Sequence, residues 1–381
     1  MSERSAPGAH ANGDQPVLIE LDHVVKTFKN AAGEFFALKG IDAVFYQGQF
    51  VSVVGRSGSG KSTLLNMITG IDHPTSGEVR VGNTLLYRLD ESRMSVWRGK
   101  QMGIVFQFFQ LLPMLTLLEN VMLPMDFADL YPPAEREPRA MGLLKMVGLE
   151  GLEYKYPAAV SGGQQQTAAV ARALANDPPI LVADEPTGNL DTRTAERVLE
   201  IFEEQVALSK TVVMVTHDNS LAEHAFRKLV ISDGELVNES FSRAFPQMRH
   251  GTLLRLSHAA KLCHFAPGET LLDPGSPALV LIVAGEADVV TTPRPLDRGP
   301  FFRKGRAPRL DNPEVSGRLG PGALFSQAHA RALGRAFAGL KAHDALDAWV
   351  VETLPEAPDL PAALEEAAAA SRDHRGEKGG Q

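Results

Sequence analysis

Apolar positions along the chain fall into two patterns. From residue 17, short dense apolar runs alternate with longer stretches of helical periodicity. Residues 17–21 (VLIEL) read as a strand, and 50–54 (FVSVV) as a strand apolar enough to be buried on both faces. Residues 62–69 read as a helix and 104–106 as a short strand. Residues 117–130 and 134–147 read as helices parted by Pro132-Pro133. An Ala-rich helix over 164–175, a strand over 180–183, a helix over 192–208 and a strand over 211–215 complete the series. Strands alternating with helices predict an α/β layer with a largely parallel sheet. After Val237 the runs shorten: 262–265, 270–272, 278–283 and 287–291 are strand-like and are cut by Pro267-Gly268, Pro274-Gly275 and Gly285. Regular turn signals of this kind predict a small antiparallel β-domain. The expected organisation is a disordered tail over 1–16, an α/β domain over 17–240, a linker over 241–252, a β-domain over 253–355 and a helical or disordered tail over 356–381. Residues 292–317, rich in Pro and Arg, read as a surface loop.

Composition narrows the partners. The 381 residues are 44% hydrophobic and 22% charged, which suits globular domains and excludes wholesale disorder. Acidic residues outnumber basic ones by 46 to 38, a net charge of -8, which argues against a nucleic-acid partner. The single cysteine, Cys263, forms no internal disulfide and excludes a thiolate zinc cluster. No uninterrupted apolar run reaches about 18 residues, and the first 16 residues lack a signal-peptide core. Any membrane connection is then expected through a partner.

The candidate chemistry begins at Gly55-Arg56-Ser57-Gly58-Ser59-Gly60-Lys61-Ser62, which fits G-x-x-x-x-G-K-[ST] between an apolar strand and a helix. Its glycines let successive backbone N–H groups converge on phosphate oxygens, and the following helix adds its positive end. Lys61 supplies a point charge to the β- and γ-phosphates and the Ser62 hydroxyl is a Mg2+ ligand. A chance match in a chain of this length is on the order of one in a hundred, before the strand–loop–helix context is required. Downstream, the apolar strand at 180–183 ends in Asp184-Glu185. Asp184 suits Mg2+, usually through water, and Glu185 suits the orientation and deprotonation of an attacking water. Together the two motifs predict an α/β P-loop nucleoside triphosphatase.

Between them lies Val160-Ser161-Gly162-Gly163-Gln164-Gln165-Gln166, flanked by Phe106-Gln107 before, and by Pro186-Thr187-Gly188-Asn189-Leu190-Asp191 and Thr216-His217-Asp218 after. This order over residues 17–240 resembles the ATP-binding subunits of ABC transporters, which implies an ABC ATPase fold with a helical subdomain. The resemblance implies ATP and Mg2+ as cofactors, with Thr63 completing the phosphate loop. Gln107 looks like the glutamine that touches Mg2+ and reports to the transmembrane partner. Ser161, Gly163 and Gln164 resemble the signature that binds the γ-phosphate held by the opposite subunit. Asp191 looks like the residue that crosses the seam of a head-to-tail homodimer, and His217 like the histidine at the γ-phosphate. Phe28 sits where the family keeps an aromatic ring stacked on adenine; a core phenylalanine is the other reading. Two departures stand out: Val160 replaces the usual leading Leu, and Thr167 replaces the Arg that commonly follows the glutamines. Gln107-Phe108-Phe109-Gln110-Leu111-Leu112-Pro113 and Leu118-Glu119-Asn120-Val121 are similar to the branch serving lipoprotein release, macrolide efflux and cell division. The resemblance implies a translocase ATPase on the cytoplasmic face of the inner membrane, powering a separate integral membrane permease and touching the membrane only through it. The alternative it leaves is an ATP-driven regulatory ATPase that signals to envelope enzymes without moving solute.

The segment from Phe265-Ala266-Pro267-Gly268-Glu269 through Ala287-Asp288-Val289-Val290 is similar to the opening of a cyclic-nucleotide-binding domain, and Leu319-Gly320-Pro321-Gly322-Ala323-Leu324-Phe325 to the approach to its phosphate cassette. The resemblance implies a β-roll. The cassette then reads Phe325-Ser326-Gln327 where the family has Phe-Gly-Glu, with Arg331 and Arg335 as candidates for the phosphate. Losing one charged hydrogen bond costs about 1.5–3 kcal/mol, roughly a ten- to 150-fold fall in affinity. The expectation is a non-binding or altered-ligand regulatory module. Six basic residues between Arg294 and Arg309 face one acid, Asp297, and read as a solvated loop, or more sharply as a contact for anionic lipid.

Overall fold

The computed structural model describes residues 15–30, 33–188, 190–292, 313–333 and 336–376. These form two compact units that divide between Leu236 and Val237. Residues 1–14 of the expected tail, the basic loop from Arg294 to Arg309, and Arg335 lie outside the described residues.

In the first unit, β1 (Val17–Asn30) and β2 (Gly33–Tyr46) form an antiparallel hairpin, β3 (Phe50–Val54) follows, and α1 (Lys61–Thr69) leaves the glycine-rich loop behind it. β4 (Ser76–Val81), β5 (Thr84–Leu85), α2 (Glu91–Gln101) and β6 (Met102–Val105) come next. Helices α3 (Leu117–Ala128), α4 (Pro133–Met146) and α5 (Gly162–Ala173) then pack on one another. The chain returns through β7 (Ile180–Asp184), α6 (Thr192–Ala207), β8 (Thr211–Thr216), α7 (Asn219–Ala222), β9 (Arg227–Ser232) and β10 (Glu235–Leu236).

Two sheets result. The six-stranded sheet runs β10-β9-β3-β8-β7-β6, parallel except at β10. The second sheet, β2-β1-β4-β5, is wholly antiparallel. The strand pattern foresaw four strands of the parallel sheet, β3, β6, β7 and β8, and not β9, nor β2 and β4; register shifts near Val24 interrupt the pairing of the hairpin that holds β2. Gly40, at φ 88°, faces His23, and a side chain there would meet the imidazole at 2.7 Å. β3 and β8 are buried along their whole length. Phe50, Val212 and Met214 enter the core shared with α3, α4, α5 and α6, while Val51, Val53, Val213 and Val215 enter the core shared with α1 and the antiparallel sheet. Burial on both faces explains the near-continuous apolar runs.

In the second unit α8 (Glu239–Ala244) and α9 (His250–Ala259) precede β11 (Lys261–Phe265), β12 (Thr270–Leu272), β13 (Leu279–Ala284), β14 (Ala287–Thr292), β15 (Glu314–Leu319) and β16 (Leu324–Phe325). After them come α10 (Gln327–Ala332), β17 (Ala336–Ala342), β18 (Leu346–Val351) and α11 (Leu360–Gly376). Two four-stranded antiparallel sheets, β11-β18-β13-β16 and β12-β17-β14-β15, close on Val280, Ile282, Val289, Phe325 and Leu340. The segment 241–252, read as a linker, instead carries α8 and the start of α9. Phe241, Phe245 and Met248 are buried there, at spacings that suit helical turns amid polar neighbours. β15 likewise begins inside the stretch read as a loop, paired with β14. At the cassette-like position Ser326 Oγ and His329 Nδ1 lie 2.9 Å apart, and Arg331 donates to Gln327 Oε1 at 3.3 Å within α10.

The first unit carries both of its cores without residues beyond Leu236. A chain truncated after Asn238 is therefore expected to stay soluble and to unfold cooperatively in a thermal melt followed by circular dichroism; a non-cooperative melt of the truncated chain would refute this division.

Candidate active site

Four parallel strands deliver the site. β3 ends at Val54, paired with Thr216 of β8; Val215 pairs with Asp184 of β7; Ala183 pairs with Val105 of β6. The residues just beyond those ends are Gly55, His217, Glu185 and the Phe106-Gln107 step, so the parallel register alone brings them to one edge. This is the edge where open parallel sheets bind ligands.

The glycine-rich loop is a cradle. Gly55 and Ser59 are buried beneath it, and Arg56, Ser57 and Gly58 are exposed at its crown. Gly60 has φ 106°, and a side chain there would come within 2.5 Å of the Ala37 carbonyl oxygen. Lys61 Nζ donates to Gly55 O at 2.9 Å and Arg56 O at 3.0 Å. Burial lowers the Lys61 pKa, and the nearby Glu185 and Asp184 carboxylates push it back up. Ser62 and Thr63 follow in the first turn of α1.

Asp184, at the end of β7, has its pKa raised: burial dominates, the Ser62 hydrogen bond opposes it, the Glu185 charge adds to it and Lys61 opposes it. Its Oδ1 is buried without a hydrogen-bond partner. An orphaned carboxylate oxygen beside the Ser62 hydroxyl suits a hard divalent cation. Among the described residues no group of three or more His, Cys, Asp and Glu gathers as a metal cage. That suits Mg2+, which takes one or two protein oxygens and completes its shell with phosphate and water.

Glu185 lies at the centre of this cluster. Its φ of 47° is left-handed, which costs a non-glycine residue about 1–3 kcal/mol. Its N–H donates to Val215 O at 2.9 Å and its carbonyl accepts from Gly188 N at 3.2 Å, which hold that conformation. Gln107 Nε2 donates to Glu185 Oε2 at 3.1 Å, and His217 Nδ1 lies 3.1 Å from Glu185 Oε1. The structure thus brings together Gln107, Glu185 and His217, three residues singled out from widely separated motifs.

The remaining predicted residues stand apart. Ser161 caps α5, its Oγ accepting from Gln164 N at 3.2 Å while Gln164 Oε1 accepts from Ser161 N at 2.9 Å. This reciprocal box, worth about 1 kcal/mol, leaves the exposed helix start, with Gly163 in its first turn, rigid. Asp191 caps α6 by accepting from Thr194 N at 3.1 Å and Thr194 Oγ1 at 2.7 Å, and these bonds lower its pKa. Thr167 is buried and bonds back to Gln164 O at 3.1 Å, so this departure is absorbed inside α5. Phe28 is 43% exposed on the hairpin, which excludes the core reading. Lys26, which sequence reasoning passed over, lies 4.9 Å from the Phe28 ring centroid and is fixed by Asp72 Oδ1 and His73 O, both at 2.7 Å. The available signal was its place two residues from Phe28, on the same face of a strand. Arg172 was also missed: near the C-terminal end of α5, it donates to Phe109 O at 2.7 Å and Gln110 O at 2.5 Å.

Because ionised Asp184 is disfavoured by burial in the folded chain, Asp184→Asn is expected to raise the thermal midpoint at pH 7 while abolishing Mg2+-dependent turnover. A folded-state pKa above the unfolded value means the wild-type penalty is full at neutral pH and fades as pH falls through the carboxylate range. The gain of the variant should fade with it. Thermal melts from pH 4 to 8 check this, and a wild type more stable than the variant at pH 7 would contradict it.

Comparison with known proteins agrees with this geometry. The family described as ABC transporter matches residues 38–188. The ABC transporter ATP-binding protein MJ0796 of Methanocaldococcus jannaschii is 44% identical over 232 residues, which cover 60% of this chain and 99% of that protein. The macrolide export ATP-binding/permease protein MacB of Burkholderia lata is 38% identical over 253 residues, 66% of this chain and 37% of that longer protein. A dimeric post-hydrolysis structure of the MJ0796 cassette bound to ADP and phosphate shares 43% identity, with a TM-score of 0.56, over 57% of this chain and 96% of that one. With nearly the whole of such a cassette matched and the phosphate loop, carboxylates and signature helix in place, the chain belongs to the ATP-binding, ATP-hydrolysing subunits of ABC transporters.

Proposed function

We propose that this chain is the motor of a membrane complex in which two copies close head to tail over two ATP molecules. The observation that carries the reading is Glu185, held between Gln107 and His217 beside buried Lys61 and Asp184. The loop amides of 55–63 and Lys61 bind the β- and γ-phosphates, and Phe28 offers its open ring face to adenine. Ser62 and Asp184, with Gln107, would hold Mg2+, which supplies charge neutralisation on the phosphates. Glu185 orients the attacking water and takes its proton, while His217 donates toward the γ-phosphate. The signature residues Ser161, Gly163 and Gln164 of the opposing copy complete the site as a helix N-terminus facing an anion, with Asp191 at the seam. Removing a positioned general base typically costs about 10²–10⁴ in rate. Glu185→Gln is therefore expected to bind ATP, lose turnover by about that factor and accumulate as an ATP-bound dimer on size exclusion. Hydrolysis at the parent rate would sink the assignment of the base.

The permease side of the reading rests on a groove of about 620 Å³ between α2, β6 and α3, lined by Ile71, Val96, Ile104, Pro124 and Phe127. Phe127 is 84% exposed and Val96 59%, an apolar patch on an acidic chain. Among the described residues no helix is long and apolar enough to cross a membrane, whereas MacB combines ATP-binding and permease parts in one chain. A cytoplasmic helix of a separate permease is the occupant this groove fits, in the helix-in-groove mode. The chain would then work at the cytoplasmic face of the inner membrane. Phe127→Glu is expected to leave ATPase activity of the purified chain within about two-fold, as surface changes do, and to release the chain from native membranes in a flotation assay. Undiminished membrane association would remove the groove from the interface. The second unit, whose Arg331 is engaged by Gln327, serves in this reading as a regulatory or protein-contact module.

A further inference from the structure

The loop that follows Gln107 holds two consecutive non-glycine residues in left-handed backbone, Phe109 at φ 38° and Gln110 at φ 50°. Their side chains do not favour that conformation, so hydrogen bonds must hold it. Gln110 N donates to Phe108 O within the loop, and Arg172 on α5 grips the turn from outside. Its fork donates NH2 to Phe109 O at 2.7 Å and NH1 to Gln110 O at 2.5 Å, one bond to each left-handed residue. Arg172 is half-buried, and burial lowers its pKa. Two residues upstream, Gln107 Nε2 reaches Glu185 Oε2 at 3.1 Å. At the other end of α5, about 15 Å along the helix axis, Ser161 and Gln164 form the rigid capping box exposed for the partner copy. Arg172 also lines the apolar groove beside Phe127. One side chain therefore joins the signature helix, the groove and the backbone that sets the position of Gln107.

We infer that Arg172 is a positioning residue that transmits engagement of the N-terminus of α5 by the partner copy to the Gln107–Glu185 contact of its own site. A helix moves as a rigid element, and a planar two-pronged donor fixes both translation and rotation of the carbonyls it grips. A shift of α5 on closure of the dimer is passed to residues 109–110, and from there to the amide that touches the catalytic carboxylate. This inference rests on the roles proposed for Gln107 and Glu185, and the Glu185→Gln experiment tests those roles separately.

The test is a double-mutant cycle on the full chain, reading kcat and KM for ATP and the thermal midpoint of each variant. Arg172→Gln is expected to lower kcat roughly 3- to 30-fold with KM within about two-fold, the range of coupling effects along such connections. Arg172→Lys is expected to leave the loss unrescued, because one ammonium does not span both carbonyls as the fork does. Added to Gln107→Ala, either substitution is expected to cause no further loss, since both act through the same amide. Losses in kcat that multiply across the cycle, full rescue by Lys, or a change confined to KM or to the thermal midpoint would each overturn the inference. Should Arg172→Gln fail to fold, the same cycle run with Arg172→Lys decides the question.

Discussion

The parallel register of β3, β8, β7 and β6 is the constraint from which the site follows. Hydrogen bonding fixes Val54 beside Thr216, Val215 beside Asp184 and Ala183 beside Val105. A slip of one residue in any pair would turn every side chain of that strand to the opposite core. Since Phe50, Val212 and Met214 fill one core while Val51, Val53 and Val213 fill the other, such a slip would misplace apolar groups worth about 1.5–3 kcal/mol each. The cores on both faces thereby hold the strand ends level. The phosphate loop, the two carboxylates, the histidine and the glutamine inherit their proximity from that levelness.

The electrostatics at this edge cost the fold stability. Asp184 and Glu185 are adjacent acids, the first with a buried, unsatisfied oxygen, and buried Lys61 donates to the loop carbonyls of Gly55 and Arg56. Unpaired polar atoms at depth are costly. The left-handed Glu185 adds backbone strain of its own. A cation and a polyphosphate would answer these unmet demands together, as the proposed reading has it. The same strained and desolvated groups suit an anionic ligand with a divalent metal.

The signature helix has the opposite character. Ser161 and Gln164 satisfy each other, α5 packs with α3 and α4, Arg172 donates from its far end to the carbonyls of Phe109 and Gln110, and Arg139 of α4 donates to Ala175 O just beyond that end. It is a finished, rigid element whose exposed start faces away from its own hydrogen-bonding needs. An exposed, self-capped helix start of this kind suits the two-fold partner proposed above, and its other end reaches residues 109–110.

Much of the first unit was legible in the sequence because its signals are local. G-x-x-x-x-G-K-S declares a cradle by the spacing of glycines, and buried parallel strands declare themselves by unbroken apolar runs. The cap residues Ser161 and Asp191 also sit at positions that short-range patterns mark. The hairpin partner β2 escaped detection because register shifts interrupt its pairing, and α8 because Phe241 is its one buried residue. Whether Phe28 was core or surface depended on what the hairpin packs against, which burial alone decided. Arg172 carries no motif that points to residues 109–110, some 60 positions away in the chain. The sequence by itself determined the chemistry, since residue type and near spacing suffice for a phosphate cradle and a paired carboxylate. Only the tertiary structure decided which of these groups touch, because contact between distant segments is set by register and packing, which no short stretch of chain encodes.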